Sequence, residues 1–148
     1  MTDILVSTDV DELLRSADFD EIRDLLGVSI FNIILAASDE VSDLVVGDNK
    51  AVFRTPFAGQ ISSVKASVGV APVGSHITVD IEKNGVSILT TLIRIDANHK
   101  TSTTSSIQPV INLANSSFLE DDEISINLNS VGSTDPGAGL KVTIVGTY

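Results

Sequence analysis

At 148 residues and without a cysteine, the chain has room for one domain, or one domain plus a short appended segment, and cannot form a disulfide or a thiolate metal site. Its formal net charge of −11 argues against nucleic acid as a partner, because phosphate binding needs clustered lysine and arginine. Hydrophobic residues make up 43% of the chain but aromatics only 4%, so the core has to be built from valine, isoleucine and leucine, which suit pleated surfaces.

The first third is unlike the rest. Residues 1–48 hold twelve acidic side chains against Arg15 and Arg23, whereas residues 49–148 are close to neutral. Two readings stand: a solvated leader that keeps the protein soluble, or an arm that docks on a basic surface of a partner. The acidic start Met1-Thr2-Asp3 does not resemble the basic opening of a signal peptide. The longest apolar run, Ile30–Ala37, is interrupted by Asn32 and falls far short of the roughly 20 residues of a membrane helix. A soluble protein made in the cytoplasm, without membrane contact, is expected.

In chain order, Asp9 and Glu12 form a capping pair ahead of Leu13 and Leu14, which predicts a short helical turn. Asp18 and Glu21 then cap a second turn carrying Ile22, Leu25 and Leu26, with Gly27 as its stop. Helices this short do not stand alone in water and must lie on a neighbour. From Ser29 the pattern is β. Ile30–Ala37, with Ile33, Ile34 and Leu35, has the length of a strand buried on both faces, or of one added to the edge of a partner's sheet. Val41–Val46 is a shorter candidate that ends at the polar turn Gly47-Asp48-Asn49-Lys50.

Ala51–Phe57 follows, with Phe53 and Phe57 in phase and Pro56 confining its end to an edge or a bend. In Gln60–Val68 the phase slips at Ser62-Ser63, which predicts a bulge. Ile77, Val79 and Ile81 alternate with polar residues up to Asn84-Gly85, the dipeptide suited to a type I′ turn, and Val86–Ile95 returns with a bend expected near Leu89–Thr91. Asp96–Ser106 reads as a long exposed connection and Ile107–Leu113, with Pro109 inside it, as an edge strand. Ile124, Ile126 and Leu128 alternate with Ser125, Asn127 and Asn129. After the turn-rich Gly132–Gly139, Leu140, Val142 and Ile144 form the last dry stripe.

About eight strands are expected, in an antiparallel jelly-roll-like sandwich with a short N-terminal helical arm. The division predicted is an acidic arm over 1–48, with one or two short helices and an apolar strand, and a sandwich over 49–148.

Few side chains in the sequence are spaced for catalysis or metal binding. His76 and Asp80 lie about 13 Å apart along a strand, too far for a hydrogen-bonded pair, and His99 sits in a polar loop without a local partner. No glycine-rich phosphate loop is present. Glu120-Asp121-Asp122-Glu123 has carboxylates for a Ca²⁺ ion but not the alternating spacing of a calcium loop; a solvated lead-in to the next strand is the simpler reading. No catalytic residue, metal ligand or cofactor is expected.

Several segments together carry a resemblance. They are Phe53-Arg54-Thr55-Pro56-Phe57-Ala58-Gly59, Ala71-Pro72-Val73-Gly74-Ser75, Val79-Asp80-Ile81 with Asn84-Gly85 and Ser87-Ile88-Leu89, Asp96 with Lys100-Thr101-Ser102, and Gly132-Ser133-Thr134 with Gly137–Val142. Over about residues 51–146 the chain resembles a β-sandwich domain of tailed-bacteriophage structural proteins, notably those of phages infecting cyanobacteria and marine bacteria. Ser16–Val28 is similar to a short linker element of phage fibre proteins. The resemblance implies a virion component, commonly a homotrimer with the sandwich facing outward. With no long shaft ahead of the sandwich, a cement or decoration protein on the major capsid protein is favoured, and a tail-fibre or knob protein binding a host receptor or glycan is the alternative. Candidate docking residues are Leu13, Leu14, Ile22, Leu25, Leu26, Ile30, Ile33, Ile34 and Leu35. A knob would use the loops Gly69–Ser75 and Asp96–Ser106.

Overall fold

Asn84 and Gly85 both take positive φ, 49° and 78°, so the expected I′-like reversal forms and folds the chain back on itself. The computed structural model describes residues 29–148. The predicted helical turns with Leu13, Leu14, Ile22, Leu25 and Leu26 lie outside the described residues. Before the reversal runs strand β4 (Ile77–Lys83), and after it the return arm comes in three pieces, β5 (Val86–Ser87), β6 (Leu89–Thr91) and β7 (Ile93–Ile95). Glu82 faces Ser87 and Val79 faces Ile93, so Asp80 and Ile81 of β4 stand against the whole of Ile88–Leu92. The surplus is the predicted bend. It carries β6 off the sheet to pair with β8 (Val110–Ile111). Ile107–Leu113 is reduced to that two-residue strand just after Pro109.

The remaining strands are β1 (Ile30–Ala36), β2 (Gly47–Arg54), β3 (Gly59–Ser67), β9 (Ser117–Phe118), β10 (Glu123–Ser130) and β11 (Lys141–Thr147). One antiparallel sheet has the order β1-β11-β3-β9. The other has β2-β10-β4-β5, with β7 also on β4. Together they make a β-sandwich in which β1 to β4 alternate between the two sheets. Ile61, Val64, Val142 and Ile144 from the first sheet and Ile77, Val79, Ile81, Ile124 and Ile126 from the second are nearly or fully buried in a single core. These are the alternating aliphatic positions of the sequence, and burying them is the main driving force for the two sheets to close.

Ser62 is an extra residue between Ile61, which faces Gly146, and Ser63, which faces Val145: the bulge expected from the phase slip. Gly146 matters for a different reason. A Cβ there would run into Gln60 O and the ring of Phe31, which lies directly opposite across β1 and β11.

Several expectations need correction. Val41–Val46 is not a strand: Asp39 Oδ1 accepts from the N–H groups of Val41 (2.9 Å) and Ser42 (2.6 Å), turning the chain there. Gly47–Lys50 is not a turn but the start of β2. It is bulged, with Asn49 at φ 55° and its N–H donating to Asn127 Oδ1 at 2.8 Å. Ser125 and Asn127 are not on a wet face: β10 is flanked by β2 and β4, and both side chains are buried. Nor is Asp96–Ser106 wholly exposed, since Ser102 and Ser105 are buried.

Ile30–Ala36 is not buried on both faces; it pairs along its whole length with β11 and leaves its outer side chains exposed. A boundary at residues 48 and 49 runs through β2, and β1 belongs to the sandwich sheet.

Candidate docking surface

β1 and β2 are the terminal strands of their sheets, and Phe31 and Ile33 of β1 line the same small cavity as Phe53 of β2, so the two edges share one flank of the sandwich. That cavity, about 10 Å³, has room for about one water molecule and no ligand. Its walls are the aromatic end of the core. Phe31 meets Phe57 and Phe118 edge-on at 5.5 and 5.6 Å between ring centroids, and Tyr148 lies 4.7 Å from Phe57. Such edge contacts hold the β1 end of the sheet in place.

Of the fourteen exposed large apolar side chains among the described residues, six lie in β1, in β2 or in the loop joining them: Ile30, Ile34, Val41, Val45, Val46 and Val52. Period-two geometry explains the β1 pair. Phe31, Ile33 and Leu35 point to the core, while Ile30, Asn32, Ile34 and Ala36 point out. The candidate docking residues are therefore split. Ile30 and Ile34, each 64% exposed, are open to a partner, whereas Ile33 and Leu35 pack against the core.

The loop is fixed rather than loose. Leu44 is buried and its N–H donates to Gly137 O at 2.8 Å, Leu140 N–H donates to Ser38 Oγ at 2.9 Å, and Lys141 pairs with Glu40. The two backbone N–H donors to Asp39, that of Ser42 first, hold its carboxyl below the usual carboxylate range. Val41, Val45 and Val46 are thus displayed by a braced loop. A strand reading hid them, since alternate valines of a strand would face inward. The signal for the loop was Asp39 followed by Ser42 and Asp43, a turn-forming cluster.

The loops Gly69–Ser75 and Asp96–Ser106 are joined to each other. Asn98 N–H donates to Pro72 O at 2.7 Å and Val68 N–H to Lys100 O at 2.9 Å, while Val73 and Asp135 bridge to the 132–139 connection. Asp96 closes its loop. The backbone N–H of Ser106, helped by the guanidinium of Arg94 at 2.5 Å, lowers the Asp96 pKa to about 2. His99 and Lys100 are exposed, and His99 Nδ1 lies 2.9 Å from Thr104 Oγ1. Neither loop contains Phe, Tyr or Trp, so the stacking platform common in sugar sites is missing from their own residues.

Three of the four acidic residues of Glu120–Glu123 are already engaged. Arg54 pairs with Glu123 and Asp121, and Asp122 accepts from Asn84 Nδ2 at 2.7 Å and from Leu119 N–H at 2.7 Å. Among the described residues no group of three or more His, Cys, Asp or Glu side chains is placed to hold a metal ion, and no helix is long and apolar enough to cross a membrane. Comparison of the chain with protein-family models, with curated proteins and with solved structures found no match.

Proposed function

We propose that this protein is a structural component of a tailed-bacteriophage particle: a cement or decoration protein that sits on the major capsid protein as a homotrimer, after synthesis in the cytoplasm of the host bacterium. The observation that carries the reading is the strand order. With the β5–β7 return arm counted as a single strand, and the two-residue β8, which pairs only with β6, left out of the count, one sheet runs first, eighth, third, sixth and the other second, seventh, fourth, fifth, an order that matches a jelly roll, an architecture common in capsid proteins. The exposed valines and isoleucines around β1 and β2 support it as well, because apolar surface concentrated on one flank is surface suited to being covered. The acidic segment before Ser29, with Leu13, Leu14, Ile22, Leu25 and Leu26, is the arm that reaches the shell, and no catalysis is assigned.

Removing residues 1–28 tests the reading. The shortened chain should keep its β spectrum and fail to join particles; full occupancy of shells by the shortened chain would overturn the role of the arm. Imaging of intact particles, with a copy number that tracks the major shell protein, separates cement from a tail position. The second reading, a fibre or knob protein that binds host glycan, is favoured by one feature, the hydrogen-bonded pair of loops that displays His99 and Lys100. Saturable binding to host cells that is lost in His99→Ala or Lys100→Ala would support it.

A further inference from the structure

The free edge of β1 lacks the protection that edge strands ordinarily carry. Tyr148 N–H donates to Ser29 O and Ala37 N–H to Leu140 O, which fixes the phase of the ladder: odd-numbered residues from 29 to 37 bond to β11. The N–H and C=O groups of Ile30, Asn32, Ile34 and Ala36 therefore point away from the sheet, and among the described residues no strand pairs with them. Natural edges are blunted by charges, proline or bulges. Ile-Phe-Asn-Ile-Ile-Leu-Ala contains none of the charged residues and no proline, and its register with β11 is unbroken. β2, the edge beside it, is protected by charge and by a bulge: Asp48 and Lys50 sit on it and Asn49 bulges it.

We propose that β1 pairs antiparallel with β1 of a second copy of this chain, about a two-fold axis at Asn32. The edge is self-complementary in that register. Asn32 faces Asn32 of the other copy and Ile30 faces Ile34, so amide meets amide and aliphatic meets aliphatic on the outer face. The outward-pointing groups at 30, 32 and 34 are in phase to form hydrogen-bonded pairs, each exchanging two bonds. Charge argues for this edge as well. The chain as a whole is strongly acidic and repels its copies, and β1 is an uncharged strip through which they can approach. The stretch just before Ser29 is a poorer occupant, since folding it back would bring Asp20, Glu21 and Asp24 against a dry edge. Such a contact is isologous and joins copies in twos. A threefold assembly uses other surfaces, and where both exist the β1 pair links one trimer to the next. The inference does not depend on the virion reading, since it concerns the purified chain alone.

The full-length chain tests it, because it has no cysteine of its own. In the paired state the two Asn32 Cα atoms are about 5.5 Å apart, within disulfide range. Asn32→Cys should cross-link to a dimer under mild oxidation. Ile30→Cys and Ile34→Cys should each remain free of cross-links alone and cross-link when mixed with each other. Asn32→Pro removes an N–H that points outward, leaves the β11 ladder intact, and should at least halve the sedimenting mass with an unchanged far-ultraviolet spectrum. Equal cross-linking of all three cysteine variants, or none by Asn32→Cys in a chain that keeps its β spectrum, would overturn the proposal. So would an Asn32→Pro chain that keeps both its spectrum and its original sedimenting mass.

Discussion

Ala66 donates its backbone N–H to Ser102 Oγ at 2.9 Å, so a buried hydroxyl stands where the next strand of the sheet would have been. β9 covers β3 only at Gly59 and Gln60; farther along, the edge is completed by Ser102 and by Lys100 O, which accepts from Val68 N–H. Ser102→Ala keeps the volume almost unchanged and leaves a buried donor without a partner. It should lower stability by about 1–3 kcal/mol. Urea unfolding should show a lower midpoint at an unchanged slope, and a midpoint equal to that of the parent chain would mean that water replaces the hydroxyl.

Two glycines should respond differently to the same change. Gly85 has open space around it, so Gly85→Ala pays only for an L-residue at φ 78°, about 1–2 kcal/mol. At Gly146 the added methyl meets Gln60 O and the Phe31 ring, and β1 or β3 must move to admit it. Thermal unfolding of the two variants should give a clearly larger loss for Gly146→Ala, with altered near-ultraviolet dichroism from the Phe31, Phe57 and Phe118 cluster.

Ile126 is fully buried on β10, between β2 and β4. Ile126→Ala should cost about 2–5 kcal/mol through lost burial and the cavity left behind. Val45→Ala, on the exposed part of the braced loop, should fall within about 0.5 kcal/mol of the parent. Chemical denaturation of the isolated chain distinguishes the two, and a large loss at Val45 would mean that this valine is covered in solution.

Acid should loosen the turns before the sheets. The Asp96 pKa is lowered to about 2 and those of Asp39 and Asp122 are lowered too, chiefly by backbone N–H donors. A folded-state pKa below the unfolded one contributes stability above the unfolded value, near 3.8, and that contribution is lost as pH falls through the folded value. The melting temperature should therefore drop between about pH 4 and pH 2, and Asp96→Asn should flatten part of that drop.

The local pattern in the sequence was enough for the core-facing stripes of β4, β10 and β11 and for the tightest reversal. Ile77, Val79 and Ile81 face the core as their alternation required, Leu140, Val142 and Ile144 do likewise, and Asn84-Gly85 turns where that dipeptide should. Even the phase slips at Ser62 and in the return arm were visible, because a bulge shifts the hydrophobic period by a residue. For the docking surface, Ile30 and Ile34 were legible as apolar, but their exposure was not.

Neighbourhood could be settled only by the tertiary structure. β1 pairs with β11 from the far end of the chain, and this pairing makes β1 an edge and Ile34 a surface residue; β10 lies between two strands, and this buries Ser125 and Asn127. A period of two tells which side chains of a strand are dry on one face. It carries no record of which distant segment lies alongside, because backbone hydrogen bonds between strands are the same whatever the side chains. That choice is made by the packing of the whole core, and with it the location of the open edge.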